Sequence, residues 1–192
     1  MHAPTDNDFQ SLKRILRFIK GTIDRGLFFQ SGDLQLRAYF DSDWANDMTD
    51  GRSVTGYLVY LGPNLVSWST EKQTRVSKSS TEAEYRALSS AASELMWLTY
   101  VLTDLRVPIS TPQLLCDNQS AICLTKNPVF HKRMKHVGTD CHFVREQVIA
   151  GTMSVSHVFS EDQLADLLTK PLSSPRFQHL VSKLPLVTRS SA

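Results

Sequence analysis

Residues Leu34–Asp43, LQLRAYFDSD, decide the fold class. Leu34, Leu36, Ala38 and Phe40 fall on one side of an extended chain, and Gln35, Arg37, Tyr39, Asp41 and Asp43 on the other. A period of two is the mark of a β-strand. Two acids, Asp41 and Asp43, end the strand on the same face. Further on, Gly51 opens a turn, and Thr55–Leu61 and Asn64–Ser69 read as two more strands joined by Gly62-Pro63. Three consecutive strands with short turns predict an antiparallel meander. Upstream, Leu12, Ile15, Leu16 and Ile19 give Phe9–Ile19 the spacing of an amphipathic helix that stops at Gly21.

Downstream, Leu88, Ala91, Leu95, Leu98, Leu102 and Leu105 recur every three or four residues until Pro108. That spacing predicts a long helix, and Ser79-Ser80-Thr81-Glu82 has the form of a capping box at its start. Gln113–Cys116 reads as a strand, Asn118–Leu124 as a helix closed by Pro128, and Asp140–Ile149 as another helix. Met153–Phe159 reads as a strand, and Ser160–Thr169 as a helix stopped by Pro171; Thr188–Ala192 is expected to be a disordered tail. A meander followed by alternating helices and strands predicts an α/β sandwich on a mixed sheet.

The chain has 192 residues, 41% of them hydrophobic, which fits one ordinary domain with appendages at its ends. No apolar run approaches the roughly 20 residues of a membrane span, and the N-terminus lacks signal-peptide architecture. Cys116, Cys123 and Cys141 form no Cys-x-x-Cys pair, so a reducing compartment is the simpler reading. The net charge of +2 identifies no partner, but its distribution is uneven. Lys13, Arg14, Arg17, Lys20 and Arg25 face only Asp24, and Lys126, His131, Lys132, Arg133, Lys135 and His136 form a stretch without an acid. Such patches either neutralise phosphates or are ordinary solvated charge.

Glu84 lies one turn before Leu88, on the stripe that the long helix should bury. A carboxylate there is costly unless a cation receives it; the competing role, a capping partner for Thr81, is already filled by Ser79 and Glu82. Asp117 ends a strand just before a helix start, so it is either an N-cap or part of a site at the strand ends. Asp166 by pattern alone is a solvated helix charge. Converging carboxylates without His or Cys of ligand spacing suit Mg²⁺ or Mn²⁺; a zinc site at His131, His136 and Cys141 is the weaker alternative.

Residues Ala38–Ala45, AYFDSDWA, resemble the first motif of the ribonuclease H domain of Copia-type LTR retrotransposons. The resemblance continues through Arg52–Tyr57, Val66–Ser69, Ser79–Tyr85, Cys116–Ala121, Asn127–His131 and Asp162–Pro171, in order along the chain. The segment Leu12–Thr22 is similar to the end of the reverse transcriptase that precedes this domain, so Met1 is expected to be a cut point in a polyprotein. The resemblance implies a ribonuclease H-like fold, with a mixed five-stranded sheet and flanking helices. It also implies boundaries: 1–33 as the end of the reverse transcriptase or a connecting segment, 34–171 as the ribonuclease H domain, and 172–192 as a C-terminal helix and tail.

By the same resemblance the function is two-metal hydrolysis of the RNA strand of RNA–DNA hybrids during reverse transcription. Asp41, Glu84, Asp117 and Asp166 would hold Mg²⁺, with Mn²⁺ as a substitute and Asp43 as the alternative to Asp41. Asp166 rests on the resemblance alone. Lys132, Arg133 and Lys135 are expected to contact the hybrid backbone, with Arg75, Lys78 and Arg86 as the alternative surface. The expected partners are the hybrid and the reverse transcriptase domain of the same polyprotein, without a membrane, in a cytoplasmic retroelement particle. Phe159–Asp162 is too short for the Gly- and His-containing loop of many cellular ribonucleases H, so slower cleavage is expected. Met134 and Gly138-Thr139 also depart from related elements. Integrases and proofreading exonucleases order their acids differently. The rival from another class is a decayed domain that binds or tethers hybrids without cutting them.

Overall fold

The structure, a computed structural model, describes residues 3–45, 49–126 and 138–188. Its elements, in order, are α1 (Asp6–Thr22), β1 (Arg25–Leu27), β2 (Leu36–Asp43), β3 (Val54–Leu61), β4 (Asn64–Lys72) and α2 (Ser80–Asp104). There follow β5 (Gln113–Cys116), α3 (Gln119–Lys126), α4 (Gly138–Ile149), β6 (Ser154–His157), α5 (Asp166–Thr169), α6 (Ser174–Val181) and β7 (Leu186–Thr188). The main sheet has the order β4-β3-β2-β5-β6. β2, β3 and β4 form the expected antiparallel meander, whereas β5 runs parallel to β2 and β6 parallel to β5. This is the mixed five-stranded sheet with flanking helices that the sequence implied.

Alternation along β2 sends side chains to both faces, and both faces are covered. Leu36, Ala38 and Phe40 pack with Val59, Leu114 and the Leu88, Ala91 and Leu95 stripe of α2, joined by Val144 of α4. Tyr39 packs on the opposite face with Leu58 and Tyr60, beneath Leu164, Ala165 and Leu180. The polar-looking face of LQLRAYFDSD therefore meets the segment that carries α5 and α6 rather than water. Parallel register fixes what lies at the strand ends. Arg37 pairs with Gln113 and Tyr39 with Leu115, so two residues further on Asp41 comes opposite Asp117.

Some expectations need correction. Ser160–Thr169 is not one helix: Ser160–Asp162 forms a 3-10 turn, and the chain then extends at Gln163 (φ −71°, ψ 97°) before α5 begins. Gln163 is fully buried, its Nε2 donating to the Phe40 carbonyl at 3.0 Å and its Oε1 accepting from Ala165 N at 3.2 Å. A side chain that serves the backbone in this way competes with the helix, and here it wins. Ser79 caps α2 by accepting from Glu82 N at 3.2 Å, but Glu82 Oε2 accepts from Lys78 N rather than from Ser79 N. Thr188, read as the start of a tail, ends β7, which pairs antiparallel with β1 in a second, two-stranded sheet.

The N-terminal helix forms with its capping box at Thr5 and Asp8, yet buries none of its residues. Its stripe, Leu12, Ile15, Leu16 and Ile19, is about half exposed. Among the described residues no helix is long and apolar enough to cross a membrane.

Gly56 sets how closely α5 approaches the sheet. It pairs with Asp41 across β2 and β3, and a Cβ there would lie 2.8 Å from Leu168 Cβ and 2.8 Å from Thr169 Cγ2. Gly56→Ala should therefore push α5 outward and lower the unfolding free energy by about 1–3 kcal/mol, the usual cost of overpacking. Urea unfolding of the purified variant measures this; an unchanged midpoint contradicts the close approach.

Candidate metal centre

Asp41, Glu84 and Asp117 offer carboxylate oxygens that all lie within 4.8 Å of one another. Different elements deliver them. Asp41 stands near the end of β2, Asp117 directly after β5, and Glu84 on the first turns of α2, where that helix crosses the strand ends. Among the described residues no His or Cys joins them in this cluster. Asp43 ends β2 two residues beyond Asp41 and is outside the cluster.

The surroundings differ from acid to acid. Asp41 is 1% exposed; its Oδ2 accepts from the Thr169 hydroxyl and its Oδ1 from Lys170 Nζ at 3.0 Å. Asp117 Oδ2 accepts from the Ser160 hydroxyl at 3.0 Å. The N-cap alternative for Asp117 falls to its neighbour: Asn118 Oδ1 accepts from Ser120 N at 2.9 Å and from Ala121 N at 3.2 Å. Glu84 has the least support. It is 7% exposed, and its buried Oε2 meets no hydrogen-bond partner among the described residues. An orphaned oxygen on a buried carboxylate that belongs to a cluster of acids is what a cation would satisfy. The donor set fits a hard, oxygen-preferring divalent ion.

Asp166, the first residue of α5, is buried but stands apart from the cluster of three. Its Oδ1 accepts from Lys170 Nζ at 2.7 Å and its Oδ2 from Arg176 at 3.1 Å. Lys170 thus ties Asp166 to Asp41. Arg176, on α6, also donates to the Glu161 carbonyl at 2.7 Å and to the Ser160 carbonyl. Thr169, Lys170, Arg176 and Ser160 were not anticipated. Lys170 had a local signal, its place four residues after Asp166 on a helix. Arg176 and Ser160 had none, because their contacts depend on how the closing segment folds back.

Lys132, Arg133 and Lys135 lie outside the described residues, as do His131 and His136. Of the alternative basic surface, Arg86 is committed to Glu82 at 2.8 Å and is mostly buried.

Burial shapes the electrostatics. Desolvation, reinforced by Asp41 and Asp117, pushes the Glu84 carboxyl up to about 9. Burial also raises Asp41, against the pull of Lys170 and Thr169, and raises Asp43 against Lys170. The Cys116 thiol is pushed up by burial and by Glu84, which keeps it protonated and apolar in behaviour. Burial alone would lower Lys170, but Asp41 and Asp166 outweigh it and hold the ammonium above its ordinary value. A carboxyl raised on folding binds its proton more tightly in the folded state. Its contribution to stability is complete below the ordinary 4.5 of Glu84 and is lost as pH climbs toward about 9. In EDTA the melting temperature should therefore fall steadily across that window, and Glu84→Gln should remove most of the fall. Calorimetry over this range checks it, and an equally steep fall in the variant contradicts the assignment.

No protein-family model matches the chain. Over 189 residues it is 50% identical to the Pol polyprotein of transposon RE2 from Arabidopsis thaliana, a match covering 97% of this chain and 13% of that protein. It is 35% identical over 178 residues to the Pol polyprotein of transposon TNT 1-94 from Nicotiana tabacum, covering 93% and 13%. The chain thus spans about an eighth of the length of these relatives. Among solved structures, a ribonuclease H1 isolated from compost superposes with a TM-score of 0.54 at 17% identity, over 71% of this chain and 93% of that one. The N-terminal ribonuclease H domain of a Mycobacterium tuberculosis protein gives 0.51 at 13% identity, over 78% and 98%. The fold is that of ribonuclease H, and the chain belongs to the Pol polyproteins of Copia-type retrotransposons.

Proposed function

We propose that this chain is a metal-dependent endoribonuclease that hydrolyses the RNA strand of RNA–DNA hybrids during reverse transcription. The observation that carries the reading is the meeting of Asp41, Glu84 and Asp117 within 4.8 Å, with one buried Glu84 oxygen that has no hydrogen-bond partner among the described residues. The ribonuclease H fold and the Pol polyprotein relatives support it.

Asp41, Glu84 and Asp117 would hold Mg²⁺ or Mn²⁺, and Asp166 would join them once released by Lys170. When bound, the metal supplies Lewis-acid stabilisation and an activated water for in-line hydrolysis at phosphorus. The protein's own residues set the stage. Thr169 orients Asp41, Ser160 orients Asp117, and the buried position of Glu84 keeps its carboxylate short of competing hydrogen bonds. Ser160 donates its hydroxyl proton to Asp117 and so orients that carboxylate, and metal-assisted hydrolysis by water needs no protein nucleophile.

Lys132, Arg133 and Lys135 are assigned to the phosphate backbone of the hybrid, a contact that is independent of base sequence. The half-exposed stripe of α1 supports the reading that the partner is the reverse transcriptase domain of the same polyprotein. The place of action in this reading is a retroelement particle in the cytoplasm.

Cleavage of a labelled hybrid by the full chain tests the activity. Turnover is expected with Mg²⁺ or Mn²⁺ and none with Ca²⁺ alone or in EDTA, since Ca²⁺ binds oxygens at longer distances with looser geometry. Asp117→Asn should reduce cleavage to background without lowering the melting temperature in EDTA, because it relieves repulsion among the acids. Wild-type hybrid binding without cleavage in Mg²⁺ would instead make the chain a tether. In the Asp117→Asn background, replacing Lys132, Arg133 and Lys135 by Ala should flatten the salt dependence of binding by roughly 0.7–0.9 per lost phosphate contact. An unchanged slope moves the binding surface elsewhere.

A further inference from the structure

Lys170 sits where the acids of the centre would otherwise face one another. Its ammonium lies 3.0 Å from Asp41 Oδ1 and 2.7 Å from Asp166 Oδ1, bridging an acid of the inner cluster and a buried acid outside it. Both carboxylates are almost fully buried, whereas the Lys170 side chain is 36% exposed. The lysine can therefore leave toward water, and its partners cannot. Its main chain is fixed independently of the bridge: Lys170 N donates to the Asp166 carbonyl at 3.0 Å and closes α5. The flexible four-carbon stem can thus swing while the backbone and Asp166 stay in place. Arg176 remains on the other oxygen of Asp166, so that acid keeps one partner when Lys170 departs.

We infer that Lys170 is a tethered cation that holds the place of one divalent ion between Asp41 and Asp166 in the metal-free protein. The corner formed by Asp41, Glu84 and Asp117 is then the position open to a first ion, and a second ion enters only as Lys170 swings out. This inference rests on the reading of the cluster as a metal centre. Lys170 acts as a positioning residue: it keeps Asp166 in register with Asp41 before metal arrives, and it penalises loading of the second position. An ammonium and a divalent ion competing for the same two oxygens repel one another strongly at such separations.

Titration of the full chain with Mn²⁺ alone, without hybrid, tests this by calorimetry. The wild type should show a tight first event and a weaker second. Lys170→Gln should tighten the second event by about tenfold or more, leave the first nearly unchanged, and lower the melting temperature in EDTA. Lys170→Arg, which keeps the charge, should behave like the wild type. Identical second events in the wild type and Lys170→Gln overturn the role of Lys170 while leaving the metal centre intact. Absence of any Mn²⁺ binding by the wild type overturns both.

A second measurement needs no variant and so does not depend on Lys170→Gln folding. Acetic anhydride footprinting of the wild type, read by mass spectrometry, should find Lys170 protected in EDTA and at one equivalent of Mn²⁺. At saturating Mn²⁺ its acylation should rise several-fold, while lysines remote from the centre stay constant. Protection that persists at saturation overturns the displacement.

Discussion

Carboxylates crowd against one another at one end of the sheet, and the protein must keep them there without the water that would normally screen them. Asp41 and Glu84 are buried, and Asp166 is buried beside them. Like charges this close, in a medium far less polar than water, cannot all remain ionised without compensation. Two devices supply it. Lys170 and Arg176 deliver positive charge to Asp41 and Asp166, and Glu84, which no cation contacts among the described residues, shifts toward its neutral form because burial outweighs the attraction of Lys170. The rest of the architecture follows from where these groups must stand.

The sheet solves the placement problem with register. β2 and β5 run parallel, so their ends lie side by side, and the chain offsets that pair Tyr39 with Leu115 deliver Asp41 next to Asp117. The apolar stripe of α2 that packs on Phe40 and Ala38 fixes where the helix begins, and with it Glu84. On the opposite face the segment from Leu164 to Leu180 does the same for Asp166, Lys170 and Arg176. Gly56 leaves room for this segment to lie directly on β3, which explains how Thr169 reaches Asp41. Two hydrophobic contacts on two faces of one sheet therefore converge on a single polar site.

Much of this was legible in the sequence, for physical reasons that can be traced. The alternation of LQLRAYFDSD and the long leucine stripe of α2 are strong periodic signals because each element buries a full face. Glu84 was legible as a charge on that buried stripe. The N-cap alternative for Asp117 fell away only in three dimensions, where Asn118 takes the capping role. The closing segment was read least well. Gln163 breaks the expected helix through a hydrogen bond to Phe40, a contact between residues far apart in sequence that no local pattern announces. The pairing of β1 with β7 escaped notice for the same reason, since its three-residue strands carry too little alternation to register.

The same distinction explains why Asp166 looked ordinary. A local reading sees an acid four residues before a lysine on a short helix, the commonest of solvated pairs and worth little to stability. Burial changes the meaning of the pair. With Asp166 6% exposed and Asp41 1% exposed, removing the lysine charge would leave buried acids facing one another, which costs far more than a surface pair contributes. A pair of this kind is weak support for stability in itself, because the buried acids have already surrendered their hydration. Its value lies in being exchangeable: any cation that satisfies the same oxygens better can displace the ammonium, and the exposed lysine regains its water as it leaves. On the proposed reading of the cluster as a metal centre, the acids are held in place by a cation that a metal ion could displace, which is what reversible metal loading requires.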